Sequence, residues 1–162
     1  MSLDRIFWAA AAGSLALDRA TKALVQARFA LGESLPLWPG TALTYVRNPG
    51  AAFSFLAGQD ASFRRPFFLC VTAAALAAVA WTLKHTPKGD RMARAALGLI
   101  AGGALGNAVD RASHGEVVDF IEVGLPGVFT WPIFNGADSA IFIGVCLLAW
   151  RAFRPLEEAA SA

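Results

Sequence analysis

Asp119 and Asp138 are the residues of this chain whose type and setting point most directly to chemistry. From Gly102 the sequence leaves a small-residue apolar run through Asn107, Asp110 and Arg111. It then passes Asp119 and enters a second apolar run at Asp138. Ionisable groups at membrane depth are costly and usually functional. Two neighbouring carboxylates share one proton, because like charges at short range do not both ionise cheaply. One can then take a proton from water while the other protonates a leaving amine, and their titration belongs to the pair. The chemistry expected is acid–base hydrolysis of a peptide bond, which calls for no cofactor. The plainer account of Asp138 is a carboxylate at a helix N-terminus, favoured there by the helix dipole.

These two residues need elements to position them, and the composition says which. Of 162 residues, 56% are hydrophobic and 16% charged, and mean hydropathy is +0.50. A soluble domain usually carries about 25% charged residues, so the chain leans towards a membrane protein. A net charge of +2, with no basic patch interleaved with aromatics, gives no footprint for nucleic acid. Cys70 and Cys146 lie inside apolar runs and are expected to be buried thiols with no redox or metal spacing. His85 and His114 are far apart and lack a nearby Cys, so no zinc site is expected.

Four runs are long enough to cross a bilayer, at about 6–25, 67–83, 92–109 and 137–153. The first reads as a cleavable secretory signal only in its first half, because the apolar pattern resumes after Asp18. Asp18 and Lys22 are four apart and share a helix face. Arg94 stands near the start of the third run, where a long side chain can snorkel. Gly98, Gly102, Gly103 and Gly106 form a stripe that lets helices approach closely. The segments about 26–66 and 110–136 are rich in Pro and Gly. Within them Ala42–Arg47, Ala51–Leu56 and Val117–Val123 have strand character, with a turn at Asn48-Pro49-Gly50. Alternation in the last strand puts Asp119 on the face of Val117, Ile121 and Val123, which suggests a lined pocket. Trp38, Tyr45, Phe53 and Phe55 offer a movable cover over it.

The architecture expected is an α-helical integral membrane protein with four transmembrane helices in one polytopic domain spanning 1–162. A small extracytoplasmic β-sheet rests at the membrane interface. Basic residues gather in the termini and the 84–94 connection, which places both termini in the cytoplasm. Asp18, Asn48, the Asn107/Asp110/Arg111 group, Asp119 and the Asn135/Asp138 group then all fall at the outer ends of their segments.

Five motifs carry those positions: Asp18-Arg19-Ala20-Thr21-Lys22, Asn48-Pro49-Gly50-Ala51-Ala52-Phe53, Gly106-Asn107-Ala108-Val109-Asp110-Arg111, Val117-Val118-Asp119-Phe120 and Phe134-Asn135-Gly136-Ala137-Asp138-Ser139. In this order and spacing the chain resembles the bacterial lipoprotein signal peptidases, signal peptidase II. Gly136 is a mild departure, standing where a larger aliphatic residue is expected. The resemblance implies an aspartic endopeptidase of the bacterial inner membrane, its active site near the outer face. It implies cleavage of diacylglyceryl-modified prolipoproteins before the lipidated cysteine, with Asp119 and Asp138 as the catalytic pair. Asn48, Asn107, Arg111 and Asn135 are expected to bind substrate or support the dyad, and Asp18, Lys22 and Asp110 to be structural polar groups. No metal and no cofactor are expected. The partners expected are the prolipoprotein and membrane lipid, with the enzyme acting as a monomer. Two other classes compete. A small transporter would need polar groups near mid-bilayer and repeat symmetry between halves. A non-enzymatic assembly factor would tolerate Asp119→Asn.

Overall fold

The computed structural model describes residues 4–50, 56, 58–125 and 127–153. Four helices form a bundle: α1 (Arg5–Arg28), α2 (Ala61–His85), α3 (Arg91–His114) and α4 (Gly136–Phe153). Helices α2, α3 and α4 are long and apolar enough to cross a membrane. Helix α1 is as long but carries Asp18, Arg19 and Lys22. Asp18 and Lys22 are fully buried against the other helices, so its outward face is less polar than its composition.

The helices outrun their apolar cores. α2 begins six residues before the expected start, carrying Arg64 and Arg65 and accommodating Pro66 in its second turn. α3 continues five residues past 109, so Asp110 and Arg111 are helical and not in a loop. It stops where Gly115 turns left-handed, at φ 77°, and returns its N–H to the Arg111 carbonyl. Such ends are invisible to hydropathy because the residues that extend them are mostly polar or small, and most of them are exposed.

Helix α3 is the centre of the bundle, and its glycines are the reason. A Cβ at Gly98 would lie 2.8 Å from the Ala10 Cβ, and Gly102 abuts the Ala11 backbone. Gly103 meets the Ala137 carbonyl of α4. On α4, a Cβ at Gly144 would lie 2.7 Å from the Ala96 carbonyl oxygen. Without side chains at these points the backbones touch, which is how helices associate where lipid supplies no hydrophobic drive. Phe7, Ala11, Val79, Leu97 and Ala101 fill the space towards the end where α1 begins and α4 ends.

That end is tied by charge. Arg94 was expected to snorkel; it is instead buried. Its Nε donates to the Pro87 carbonyl (3.0 Å), its Nη2 to the Thr86 carbonyl (2.6 Å), and its Nη1 pairs with Asp4, the N-cap of α1. These acceptors hold the guanidinium inside the protein. Asp90 caps α3 through the Ala93 N–H (3.0 Å) and pairs with Arg151 of α4 (2.9 Å). Cys70 and Cys146 are exposed on outward helix faces, contrary to the buried setting expected from their apolar neighbours. An apolar run does not say which of its faces looks outward.

A four-stranded antiparallel sheet crowns the opposite end, in the order β1 (Ser34–Trp38), β2 (Thr41–Asn48), β3 (Val117–Leu125), β4 (Phe129–Thr130). The sequence pattern gave β2 and β3 but not β1 or β4. β1 contains Pro36 and is exposed throughout, so it has no buried face to create alternation. The strand expected at 51–56 lies outside the described residues, apart from Leu56, and so do Phe53 and Phe55 of the suggested cover. Tyr45 is no part of a cover: it is buried with Val118 and Phe120 against Val25 of α1. Val46 pairs with Asp119 and Asn48 with Val117, which brings Asn48 and Asp119 to one place.

Candidate active site

The site assembles where the N-terminus of α4, the C-terminal half of α3, the end of β2 and the start of β3 meet. Asn135 precedes α4, and its Oδ1 accepts from the Asp138 N–H (3.0 Å). In return the Asp138 Oδ2 accepts from the Asn135 N–H (3.2 Å). This reciprocal pair is a capping box, so the local sequence alone orients Asp138. The capping account and the functional account therefore describe one geometry: the cap holds Oδ2 and leaves Oδ1 to the site. Oδ1 accepts from Asn107 Nδ2 of α3 (2.8 Å).

Asn135 also reaches the other carboxylate. Its Nδ2 donates to Asp119 Oδ1 (2.6 Å) and to Asn107 Oδ1 (3.1 Å). Asp119 Oδ2 accepts from Asn48 Nδ2 (3.0 Å), and the Asn48 Oδ1 is fixed by the Gly50 N–H (3.0 Å). Asp119 is 2% exposed. Burial raises its carboxyl to about 7, the hydrogen bond from Asn48 acts in the opposite sense, and the charge of Asp138 pushes it up further. Near neutral pH this carboxyl can both hold and release a proton, as a group that shuttles protons requires.

Asp119 and Asp138 line one cleft of about 400 Å³ with Asn48, Asn107 and Arg111. Its remaining wall is apolar and includes Trp131, Ile133, Ile141, Phe142 and Val145. Arg111 makes no direct hydrogen bond to either carboxylate; its Nη2 donates to the Gly50 carbonyl (3.4 Å) and its guanidinium lies over the Phe68 ring at 4.7 Å. A larger cleft of about 530 Å³ lies at the tip of the β1–β2 hairpin. Of its lining residues only Glu122 is ionisable, so it offers no acid–base pair.

Behind the cleft lies the group read as structural. Lys22 Nζ is within 3.0 Å of Asp18 Oδ2, 2.8 Å of Asp110 Oδ2 and 3.0 Å of Asn107 Oδ1. The buried ammonium thus has two carboxylates as ion-pair partners and the Asn107 oxygen as a hydrogen-bond acceptor, which compensates its burial. Asp18 Oδ1 accepts from the Ala137 N–H (2.9 Å), so a residue of α1 helps cap α4. Asp110 Oδ2 accepts from the Val118 N–H (3.2 Å), and Asp110 Oδ1 pairs with Arg19. Gly106 makes room for the Asp18 carboxylate, which a Cβ there would overlap.

All nine candidate residues therefore fall in one connected cluster. Arg19 was missed as a site-group member although it stands inside a quoted motif. The apolar wall was missed too, yet Asp138, Ile141, Phe142 and Val145 are spaced i, i+3, i+4 and i+7, the signature of one helix face.

Comparison with known proteins covers nearly the whole chain. A family model described as Signal peptidase (SPase) II matches residues 10–154. The lipoprotein signal peptidase of Geobacter sulfurreducens is 50% identical over 146 residues, covering 90% of this chain and 89% of that protein. That of Geobacter metallireducens is 49% identical over 146 residues, covering 90% and 88%. A solved bacterial membrane enzyme structure obtained by the in meso method at 1.9 Å superposes with a TM-score of 0.77 at 32% identity, covering 90% of each chain.

Proposed function

The chain belongs to the signal peptidase II family, and from that premise we propose how its residues carry out the family's reaction. The substrate is a diacylglyceryl-modified prolipoprotein, cut on the amino side of its lipidated cysteine, and Asp119 and Asp138 divide the acid–base work. The observation that carries this reading is Asn135, which donates to one carboxylate through its side chain and to the other through its backbone. A single residue thereby locks both acids onto one cleft.

The reaction follows from that geometry. With one proton shared by the pair, burial favours Asp119 as the side on which it rests. Asp138 takes a proton from water as the oxygen attacks the scissile carbonyl carbon. The tetrahedral intermediate then collapses, the C–N bond breaks and the departing amine receives its proton from the pair. Arg111 and Asn48 present N–H donors along the cleft, where Arg and amide groups suit substrate carbonyls. The apolar wall of Ile141, Phe142 and Val145 suits a signal helix or an acyl chain arriving from the side.

The same reading places α1 as a fourth span. At about 1.5 Å per residue its 24 residues are long enough, and its ion pairs face protein. Both termini then lie on the cytoplasmic side and the sheet on the outer side. The enzyme acts as a monomer in lipid, since one chain supplies all nine residues of the cluster.

Mass spectrometry of a diacylglyceryl-modified prolipoprotein incubated with the purified protein in lipid nanodiscs tests this. The expected product begins at the lipidated cysteine. A product cut elsewhere, or equal cutting of the unlipidated precursor, would overturn the substrate assignment.

A further inference from the structure

We infer that Lys22 is a positioning residue for the reaction, acting through Asn107 to orient Asp138. The inference rests on the proposal that Asp138 is one of the two catalytic acids. Asn107 is an amide whose two ends differ in chemistry but little in shape, so its neighbours decide which way it points. Its Oδ1 lies 3.0 Å from Lys22 Nζ and 3.1 Å from Asn135 Nδ2, two donors with no accepting capacity at those atoms. That fixes Nδ2 towards Asp138 Oδ1, at 2.8 Å. Were the amide turned over, its NH2 would face the ammonium and its oxygen would face a carboxylate oxygen.

The ammonium itself cannot drift, because Asp18 and Asp110 hold its other N–H groups. Asp18 and Asp110 are in turn fixed from other elements, by the Ala137 and Val118 N–H groups respectively. The chain of contacts therefore runs from a buried cation on α1, through one amide on α3, to a carboxylate on α4. Lys22 is too deep to touch substrate: it is fully buried and does not line the cleft. Its effect should fall on the chemical step and not on substrate binding.

The test compares kcat and KM for the lipidated precursor in Lys22→Met, Asn107→Leu and the double variant. Misplacing a reacting group by about 1 Å can cost on the order of 10²-fold in rate. Each single variant should lose kcat on that scale with KM changed less than about threefold. If Lys22 acts through Asn107, the double variant should be no slower than Asn107→Leu alone. Losses that multiply, or a KM effect with kcat retained, would overturn the inference. Because Lys22→Met leaves the buried Asp18 without its cation and can fail to fold, Asn107→Asp serves as a second probe. It keeps an acceptor for Lys22 but removes the donor to Asp138, so the fold should persist while kcat is lost; retained kcat would overturn the inference. Wild-type and Asp138→Asn controls separate the two levels. A wild type that cleaves, an Asp138→Asn that does not, and multiplying losses would sink this inference while leaving the proposed catalytic pair standing.

Discussion

Replacing Asp119 by Asn should make the stability of the protein less dependent on pH. Burial lifts the Asp119 carboxyl from 3.8 to about 7. The folded protein then keeps a proton that the unfolded chain releases above about pH 4. Stability must therefore fall as pH rises from about 4 to 7, and level off above that, where both states are ionised. Within the window each pH unit costs about 1.4 kcal/mol, so the loss from pH 5 to pH 8 comes to roughly 3 kcal/mol. For a chain of this length 1 kcal/mol moves Tm by about 2–4 °C, which gives about 6–12 °C. Asn at 119 does not titrate. It does turn an NH2 towards Asn48 or Asn135, where the carboxylate accepted a hydrogen bond. That mismatch costs about 1–3 kcal/mol, the same at every pH. His85 and His114 are present in both proteins and cancel in the comparison. Thermal unfolding in detergent at pH 5, 6, 7 and 8 reads the result. Relative to wild type, the Tm of Asp119→Asn should gain about 6–12 °C between pH 5 and pH 8. A difference that stays constant across that range would refute the burial argument.

Other predictions follow from the contacts. Exchanging the ion pair, Asp18→Lys with Lys22→Asp, should abolish both the folded elution profile and cleavage, because Asp18 caps Ala137 while Lys22 serves Asp110 and Asn107; a swapped protein that stays folded and active would contradict these separate duties. Gly103→Leu should push α4 off α3 and lower Tm strongly, whereas Gly89→Ala, with open space around it, should leave Tm unchanged; equal effects would deny the backbone contact. Arg94→Met should cost about 3 kcal/mol by stranding Asp4 and the Thr86 carbonyl, yet leave kcat per folded molecule intact; a kcat loss at unchanged Tm would place Arg94 in the reaction.

Much of this is legible in the sequence itself. Runs of apolar residues mark helices because lipid rewards them wherever they sit, and the glycine stripe at 98, 102, 103 and 106 reads directly as close packing. Asp138 and Asn135 could be joined from sequence because a capping box is local, its two partners three positions apart. What could not be read is whatever depends on distant partners. The Asp18 carboxylate meets the Ala137 N–H across 119 residues, and nothing in either segment names the other. Arg94 looks like a snorkelling residue until Asp4, Thr86 and Pro87 are seen around it. Strand β1 has no alternation to detect because neither of its faces is buried. The role of Lys22 is the sharpest case. Its spacing from Asp18 points to an ion pair or to a polar group facing the bundle interior, while its contact with Asn107, 85 residues away, links it to the cleft.

The most direct test of the central claim is cleavage of a diacylglyceryl-modified prolipoprotein by purified protein with a chelator present throughout. Wild type, Asp119→Asn and Asp138→Asn would be compared at matched amounts of folded protein. The account predicts wild-type cleavage to a product beginning at the lipidated cysteine, with both variants inactive. Undiminished cleavage by either variant would contradict the pair of carboxylates on which the account rests.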